Sequence, residues 1–379
     1  MSSPKLSKIL ITGGNGFIGR NLKVKLDELS EFKISIFTNR ESDKDLTNKI
    51  LDADFIVHLA GVNRPVNSDM FTTINKGLTS RISKILTINN SKTPLIFSSS
   101  TQATLSNDYG KSKLDAENIL KELSTRNGNP ISIFRLPGVF GKWCRPNYNS
   151  VVATFCYNIA NDLPIEINDE NANLSLVHID DVIESFIYKI KNFNKGFSFS
   201  TINNELQITV GDLADKIKSF KNSRSSLVSE NVGTGAMRSL YSTYLSYLPP
   251  NKFSYVVPSY TDERGVFVEM LKTKHSGQFS FFTAKPGITR GGHYHHTKTE
   301  KFLILKGNAK FHFRHILSNE TYTLETSEDQ PEIVETIPGW AHDISNIGDD
   351  DLVVMLWANE IFDTSKPDTF SSEVQIEKA

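Results

Sequence analysis

Short apolar runs alternate with longer amphipathic stretches over the first 140 residues. Segments 8–12, 33–38, 54–60, 94–98 and 130–136 are rich in Ile, Phe, Val and Leu and are bounded by turn residues. That is the pattern of buried parallel strands. Between them, 18–29, 70–89 and 111–125 carry apolar positions at helical spacing. Strand–helix alternation predicts right-handed crossovers and a doubly wound, Rossmann-like α/β sheet. From 149 to about 221 the pattern is mixed, with helices expected at 150–161, 182–192 and 210–221. The Ser-, Gly- and Asn-rich stretch 222–235 reads as a loop.

The texture changes at Leu248-Pro249-Pro250-Asn251, a hard break. Short alternating runs follow at 253–258, 266–271, 278–285, 301–305, 308–315, 321–324, 332–337 and 353–358. Regular short strands with little helix predict an all-β barrel or jelly roll. Two domains of different class are therefore expected, 1–247 and 248–379. The length, 379 residues, suits that division.

Composition narrows the function. With 42 Lys+Arg against 43 Asp+Glu the net charge is -1, so no nucleic-acid partner is expected. Two cysteines exclude a disulfide-stapled scaffold and point to a reducing, cytoplasmic setting. No apolar run approaches a membrane span, and the first residues lack the apolar core of a signal peptide. Seven of the nine histidines lie between His275 and His342, so something there uses imidazole.

Gly13-Gly14-Asn15-Gly16-Phe17-Ile18-Gly19 follows a strand and opens a helix. Glycines at 13, 16 and 19 permit a tight turn and close backbone approach, so that a pyrophosphate can sit on the helix N-terminus. The second strand ends in Asn39-Arg40 without a carboxylate for the ribose of NAD. Arg40 can instead pair with a 2′-phosphate, which favours NADPH. Tyr109 and Lys113 stand at i and i+4 on one helix face, downstream of a strand ending Ser98-Ser99-Ser100. A phenol can protonate an alkoxide when a nearby ammonium stabilises its anion, and a serine hydroxyl can orient the carbonyl.

On these residues, 8–141 resembles an extended short-chain dehydrogenase/reductase, down to His58-Leu59-Ala60-Gly61 and Arg135-Leu136-Pro137-Gly138. The resemblance implies Ser100, Tyr109 and Lys113 as the catalytic set, with Ser100 preferred to Ser99 as third of its run. It also implies cofactor contacts from Gly13, Asn15, Gly16, Phe17, Ile18, Gly19, Asn39, Arg40, Leu59, Ala60 and Gly61, besides Tyr109 and Lys113. The interval from Ser100 to Tyr109 is shorter than in typical sugar epimerases. Arg145 is a reasonable diphosphate contact, and His178 reads as structural.

In the second domain, period two along a strand puts His293 and His295 on one face. Glu300 returns on the next strand and Pro338-Gly339-Trp340-Ala341-His342 supplies a third imidazole. This N₃O set suits Zn²⁺ or another divalent first-row ion. His275, His312 and His315 read as bystanders. The pattern resembles the two cupin motifs, the second without its leading glycine and with one residue absent between Pro338 and Gly339. Asp262–Phe267 and Lys285–His293 also resemble metal-free 4-keto-6-deoxysugar 3,5-epimerases, whose counterpart of His293 is a base. His295 and Glu300 favour the ligand role. Tyr294, His296 and Asp343 are further candidates for an epimerase base, none outranking the others.

A reductase followed by a cupin resembles the bifunctional capsular-polysaccharide enzymes of the CapF type over essentially the whole chain. That resemblance implies a UDP-2-acetamido-2,6-dideoxy-L-arabino-hex-4-ulose substrate, epimerised at carbon 3 by the cupin. The reductase would then reduce carbon 4 with NADPH to UDP-2-acetamido-2,6-dideoxy-L-talose, a precursor of the N-acetyl-L-fucosamine nucleotide. It implies a homodimer as well. The alternative is a monofunctional NADPH-dependent 4-ketosugar reductase carrying a structural or sugar-sensing cupin.

Overall fold

The computed structural model of the chain describes residues 6–63, 71–329 and 331–374. They fall into two compact units. One runs to Ile217 and resumes over Gly233–Pro249; the other comprises Lys218–Val232 and the chain from Pro250 onward.

In the first unit β1 (Ser7–Thr12), α1 (Phe17–Leu29), β2 (Phe32–Phe37), α2 (Asp43–Asp52), β3 (Phe55–His58), α3 (Gly77–Ile88), β4 (Leu95–Ser100), α4 (Asp108–Asn127) and β5 (Ile131–Leu136) alternate. They are followed by β6 (Gly138–Phe140), α5 (Val151–Ala160), β7 (Asn173–His178), α6 (Ile179–Lys191), β8 (Phe197–Ser200) and β9 (Leu206–Thr209), and α7 (Val210–Ser226) runs from this unit into the second. Six strands form one parallel sheet in the order β2-β1-β3-β4-β5-β8. The alternation of side chains along β1 explains its burial on both faces. Ile9 and Ile11 join one core with Leu22, Leu26 and Phe186, while Leu10 joins the other with Leu46, Ile82 and Leu120.

The strand order reverses between β1 and β3, which places a crevice at their carboxyl ends, Thr12 and His58. At the neighbouring sheet end α4 is fixed by Asn107, whose Oδ1 accepts the Gly110 N–H at 2.7 Å. Gly128, in the left-handed region at φ 77°, closes its other end.

The helix expected from residue 70 is a π-helical turn over Phe71–Lys76 leading into α3, and Met70 lies outside the described residues. Several elements escaped the periodicity, among them α2, β6, β7, β8 and β9. Helix α2 has few apolar positions, although its Ser42–Asp45 capping box is legible as a start signal. Strand β8 alternates Phe with Ser at the sheet edge.

Beyond the end of α7, the second unit is built mainly of strands. These are β10 (Val228–Ser229), β11 (Ser259–Asp262), β12 (Gly265–Thr273), β13 (Gly277–Ala284), β14 (Thr289–Tyr294), β15 (Glu300–Lys306), β16 (Asn308–His315), β17 (Thr321–Ser327), β18 (Val334–Glu335), β19 (Trp340–Asn346), β20 (Leu352–Ala358) and β21 (Phe370–Ser371). One sheet runs β10-β12-β13-β20-β15-β18 with β11 also on β12, the other β17-β16-β19-β14-β21. Phe282, Phe302 and Val354 from the first meet Phe311, Phe313 and Ile344 from the second in one core.

Two expectations are corrected. The stretch 222–235 is no simple loop, since it holds the end of α7, the strand β10 parallel to β12, and the start of α8 (Gly235–Leu245). Residues 253–258 form no strand. The free side of β12 is taken by β10 and β11, and Pro258 has no N–H to give a ladder.

Candidate functional site

A cavity of about 750 Å³ opens in the first unit beside the sheet's carboxyl ends. It brings together Gly16, Phe17, Ile18, Gly61, Ser100, Tyr109 and Lys113, with Arg20, Arg145 and Tyr148. Gly13, with φ 74°, is why the turn after β1 approaches β3 so closely: a Cβ there would stand 2.7 Å from the Ala60 nitrogen. A Cβ at Gly19 would stand 2.4 Å from the Gly13 carbonyl oxygen. These contacts bring the start of α1 to the crevice, and its first turn carries no acidic residue and no side-chain cap. The cradle fits a dinucleotide pyrophosphate. Asn39 and Arg40 are exposed after β2 and do not line the cavity, nor do Gly13, Asn15, Gly19, Leu59 and Ala60.

Tyr109 and Lys113 share a face of α4, and the Lys113 ammonium lies 6.0 Å from the Tyr109 ring centre. Burial raises the Tyr109 phenol above its ordinary value, opposed by a side-chain hydrogen bond with Ser100. Burial also pushes Lys113 down to about 8, with Glu117 opposing. Its ammonium donates to the Ser98 carbonyl at 2.8 Å. Ser99 is occupied elsewhere, donating to Glu117 Oε1 at 2.5 Å.

Other contributors are placed by contacts that the sequence pattern does not show. Buried Asn75 accepts the Val62 N–H at 2.8 Å, donates to Val62 O at 3.0 Å, and donates to Ser112 at 3.0 Å, so it holds the turn beside Gly61. His58 is pinned between Thr12 at 2.7 Å and Thr79 at 2.9 Å, and burial drops it to about 3, which keeps it neutral. Glu41, three residues beyond Thr38, accepts from the Thr38 N–H at 2.7 Å and pairs with Lys49.

In the second unit His293, His295, Glu300 and His342 converge, each offering a ligand atom within 4.8 Å of the others. His293 and His342 come from paired strands β14 and β19, His295 from just past β14, and Glu300 from the start of β15. Glu300 Oε2 lies 3.3 Å from His295 Nε2 and 3.4 Å from His342 Nε2, and its Oε1 lies 2.8 Å from Lys298 Nζ. Burial would raise the Glu300 carboxyl, but the surrounding His295, His342 and Lys298 outweigh it and hold the group ionised. Burial, with His342, pushes His293 down to about 4, so its imidazole is neutral and able to ligate. Buried His342 Nε2 has no hydrogen-bond partner. A cation would satisfy that orphaned nitrogen, and the donor set fits a divalent first-row ion.

The other residues singled out lie apart from this cluster. Asp343 follows His342 on β19, so it faces the opposite side, where it binds His312 Nδ1 at 2.6 Å. Tyr294 stacks on Phe370 and His296 meets the same ring edge-on. His315 accepts from Ser318. His178 caps α6 by accepting the Asp180 N–H at 3.4 Å.

Residues 9–203 match the NAD dependent epimerase/dehydratase family and residues 260–370 the Polysaccharide biosynthesis C-terminal domain. The chain is 52% identical, over 97% of its length and 99% of the other, to UDP-2-acetamido-2,6-beta-L-arabino-hexul-4-ose reductase of Pseudomonas aeruginosa. It superposes on the capsular polysaccharide assembling protein CapF from Staphylococcus aureus with a TM-score of 0.89 and 42% identity, covering 97% of this chain and 100% of that one. UDP-glucuronic acid 4-epimerase from Bacillus cereus, solved with NAD, shares the fold of the first unit at 20% identity and a TM-score of 0.52, covering 57% and 84%.

Proposed function

The chain belongs to the NAD dependent epimerase/dehydratase family, and on that premise we propose that it is a bifunctional nucleotide-sugar enzyme of capsular-polysaccharide synthesis. Its C-terminal cupin epimerises carbon 3 of UDP-2-acetamido-2,6-dideoxy-L-arabino-hex-4-ulose. Its N-terminal domain then reduces the carbon 4 ketone to give UDP-2-acetamido-2,6-dideoxy-L-talose. The observation that carries the reductase half is the Ser100–Tyr109–Lys113 constellation at the cavity over the sheet's carboxyl ends.

Gly16, Phe17 and Ile18 would hold the dinucleotide at the crevice, and its nicotinamide, when bound, would supply a hydride to carbon 4. Ser100 holds the ketone oxygen, and Tyr109 gives its phenolic proton to that oxygen as charge develops on it. Lys113, charged and beside the ring, stabilises the phenolate that remains. Arg145 and Arg20 line the same cavity and suit the sugar diphosphate. NADPH is the cofactor in this reading. Arg40 is free to meet a 2′-phosphate, whereas the nearest carboxylate, Glu41, is turned onto Thr38 and neutralised by Lys49.

Chemistry sets the order of the two steps. A carbon 3 proton is acidic only while carbon 4 is a ketone, because the carbanion is then an enolate. Reduction removes the ketone, so epimerisation precedes it. His293, His295, Glu300 and His342 would hold the metal, zinc in this reading, which supplies positive charge for an anionic oxygen. A reductase with a non-catalytic cupin is the second reading, favoured by the Pseudomonas relative, whose name carries the reductase alone. Both cysteines are free, which suits the cytoplasm, and the homodimer implied by the resemblance is tested by light scattering.

The deciding experiment incubates the protein with the UDP-4-ketosugar in D₂O, with and without NADPH, before and after chelation. Deuterium at carbon 3 without NADPH and the talo product with it are expected. Chelation should abolish the first and spare ketone reduction. Reduction without any exchange at carbon 3 selects the second reading, and no NADPH oxidation overturns both.

A further inference from the structure

We infer that Asp368 is a positioning residue for the metal centre, through which the segment 368–373 and the ion stabilise one another; this rests on the four-residue cluster being a metal site. Asp368 lies 68 positions beyond Glu300 in the chain and belongs to neither motif, yet it acts on the loop joining two of the ligands. Its main-chain carbonyl accepts a hydrogen bond from His295 Nδ1 at 2.5 Å. A carbonyl only accepts, so Nδ1 carries a proton, and Nε2 is the ring nitrogen left to ligate when an ion is bound. Nε2 is the nitrogen facing Glu300 Oε2 at 3.3 Å. His342 Nε2, without a hydrogen-bond partner, lies 3.4 Å from the same oxygen, so three ligand atoms converge on one point. A cation resolves that convergence.

The Asp368 carboxylate supports the same loop from the other side. One oxygen accepts the N–H of His296 at 2.9 Å. The other accepts the N–H of Thr297 at 2.7 Å, that of Lys298 at 2.8 Å and the Thr297 hydroxyl at 3.0 Å. Three successive amides between His295 and Glu300 are thus fixed by one side chain. The residues that follow are stitched along the ligand strand. Phe370 and Ser371 pair with Tyr294 and His293, and Ser372 N–H donates to Gly292 O at 2.9 Å. Arg314 secures the far end through Ser372 and the Glu373 carbonyl. Ordering this segment therefore orders His293, His295 and the turn to Glu300 together. By linkage, an ion that needs the ordered ligands must also favour the docked segment.

The test measures zinc affinity of the full-length protein by competition with a chromophoric chelator, comparing wild type, Asp368→Asn and Asp368→Ala. Asn keeps the shape but places an amide against N–H donors. Both variants should lose about 10- to 100-fold in affinity. A second measurement needs no variant. On adding zinc to the wild type, the amides of His296, Thr297, Lys298 and Ser372 should slow in hydrogen exchange together. Wild type that binds no zinc overturns both the metal site and this inference. Wild type that binds zinc while the variants match it within about twofold, or while those four amides stay unchanged, overturns the inference alone.

Discussion

The Glu117 carboxylate lies one helical turn beyond Lys113 on α4 and takes both Nε and Nη2 of Arg135, at 3.0 and 2.6 Å. Its Oε1 also accepts the Ser99 hydroxyl. The negative charge beneath Lys113 is therefore held in place, and it works against the burial that depresses the ammonium.

The reductase rate should follow the charge on Lys113. With the ammonium near about 8, it is charged below that pH and neutral above it. Only the charged form stabilises the Tyr109 anion, so kcat/KM for ketone reduction should fall as pH rises through about 8. Glu117→Gln removes a group that raises Lys113, so the falling limb should move to lower pH. His58, the other titratable ring near Lys113, is neutral throughout this range. A pH–rate profile of both proteins checks the direction of the shift.

Tyr109→Phe removes the proton that ends on the carbon 4 oxygen and leaves the ring in place. We expect kcat to drop by about 10²- to 10⁴-fold, with little change in cofactor affinity measured by nucleotide fluorescence. Deuterium exchange at carbon 3 should be unaffected if, as proposed, the second domain performs it.

Much of this site was legible in the sequence because its determinants are local. The glycine turn, the i and i+4 spacing of Tyr109 and Lys113, and His293 with His295 each lie within a few residues. What was not legible depends on partners distant in the chain. Asn75 on Val62 and Ser112, Glu117 on Arg135, and Asp368 on the 296–298 amides leave no periodic trace. The fold followed the same rule. Strands β1, β3, β4 and β5 were readable from apolar runs buried on both faces, and β2 from its apolar run at the sheet edge. Residues 253–258 have strand-like composition, but neighbours that no pattern reveals occupy the available ladder. His342 was readable despite its irregular motif, and its pairing with His293 is set by the β14–β19 register.

Cofactor preference should turn on Arg40. It is exposed beyond β2, and the adjacent carboxylate, Glu41, is committed to Thr38 and Lys49. Arg40→Ala should raise KM for NADPH by about tenfold or more, the scale of one lost charge-assisted contact, and leave KM for NADH within about twofold. The ratio of the two kcat/KM values is the measurement. An unchanged ratio removes Arg40 from the binding site.

Gly13→Ala should damage the fold and the cofactor site together. The residue sits at φ 74°, and the new Cβ would lie 2.7 Å from the Ala60 nitrogen and 2.8 Å from its Cα. Both are main-chain atoms of the segment after β3, so neither can swing aside as a flexible side chain would. The turn must instead withdraw from β3, which also displaces the start of α1, since Gly16 N–H donates to Gly13 O at 2.9 Å. The strained backbone alone costs about 1–3 kcal/mol. Thermal unfolding should show the reductase domain destabilised, and cofactor titration should show binding weakened by about tenfold or more. Zinc affinity should stay at the wild-type value, because every residue of the candidate metal cluster lies beyond residue 290 in the other unit.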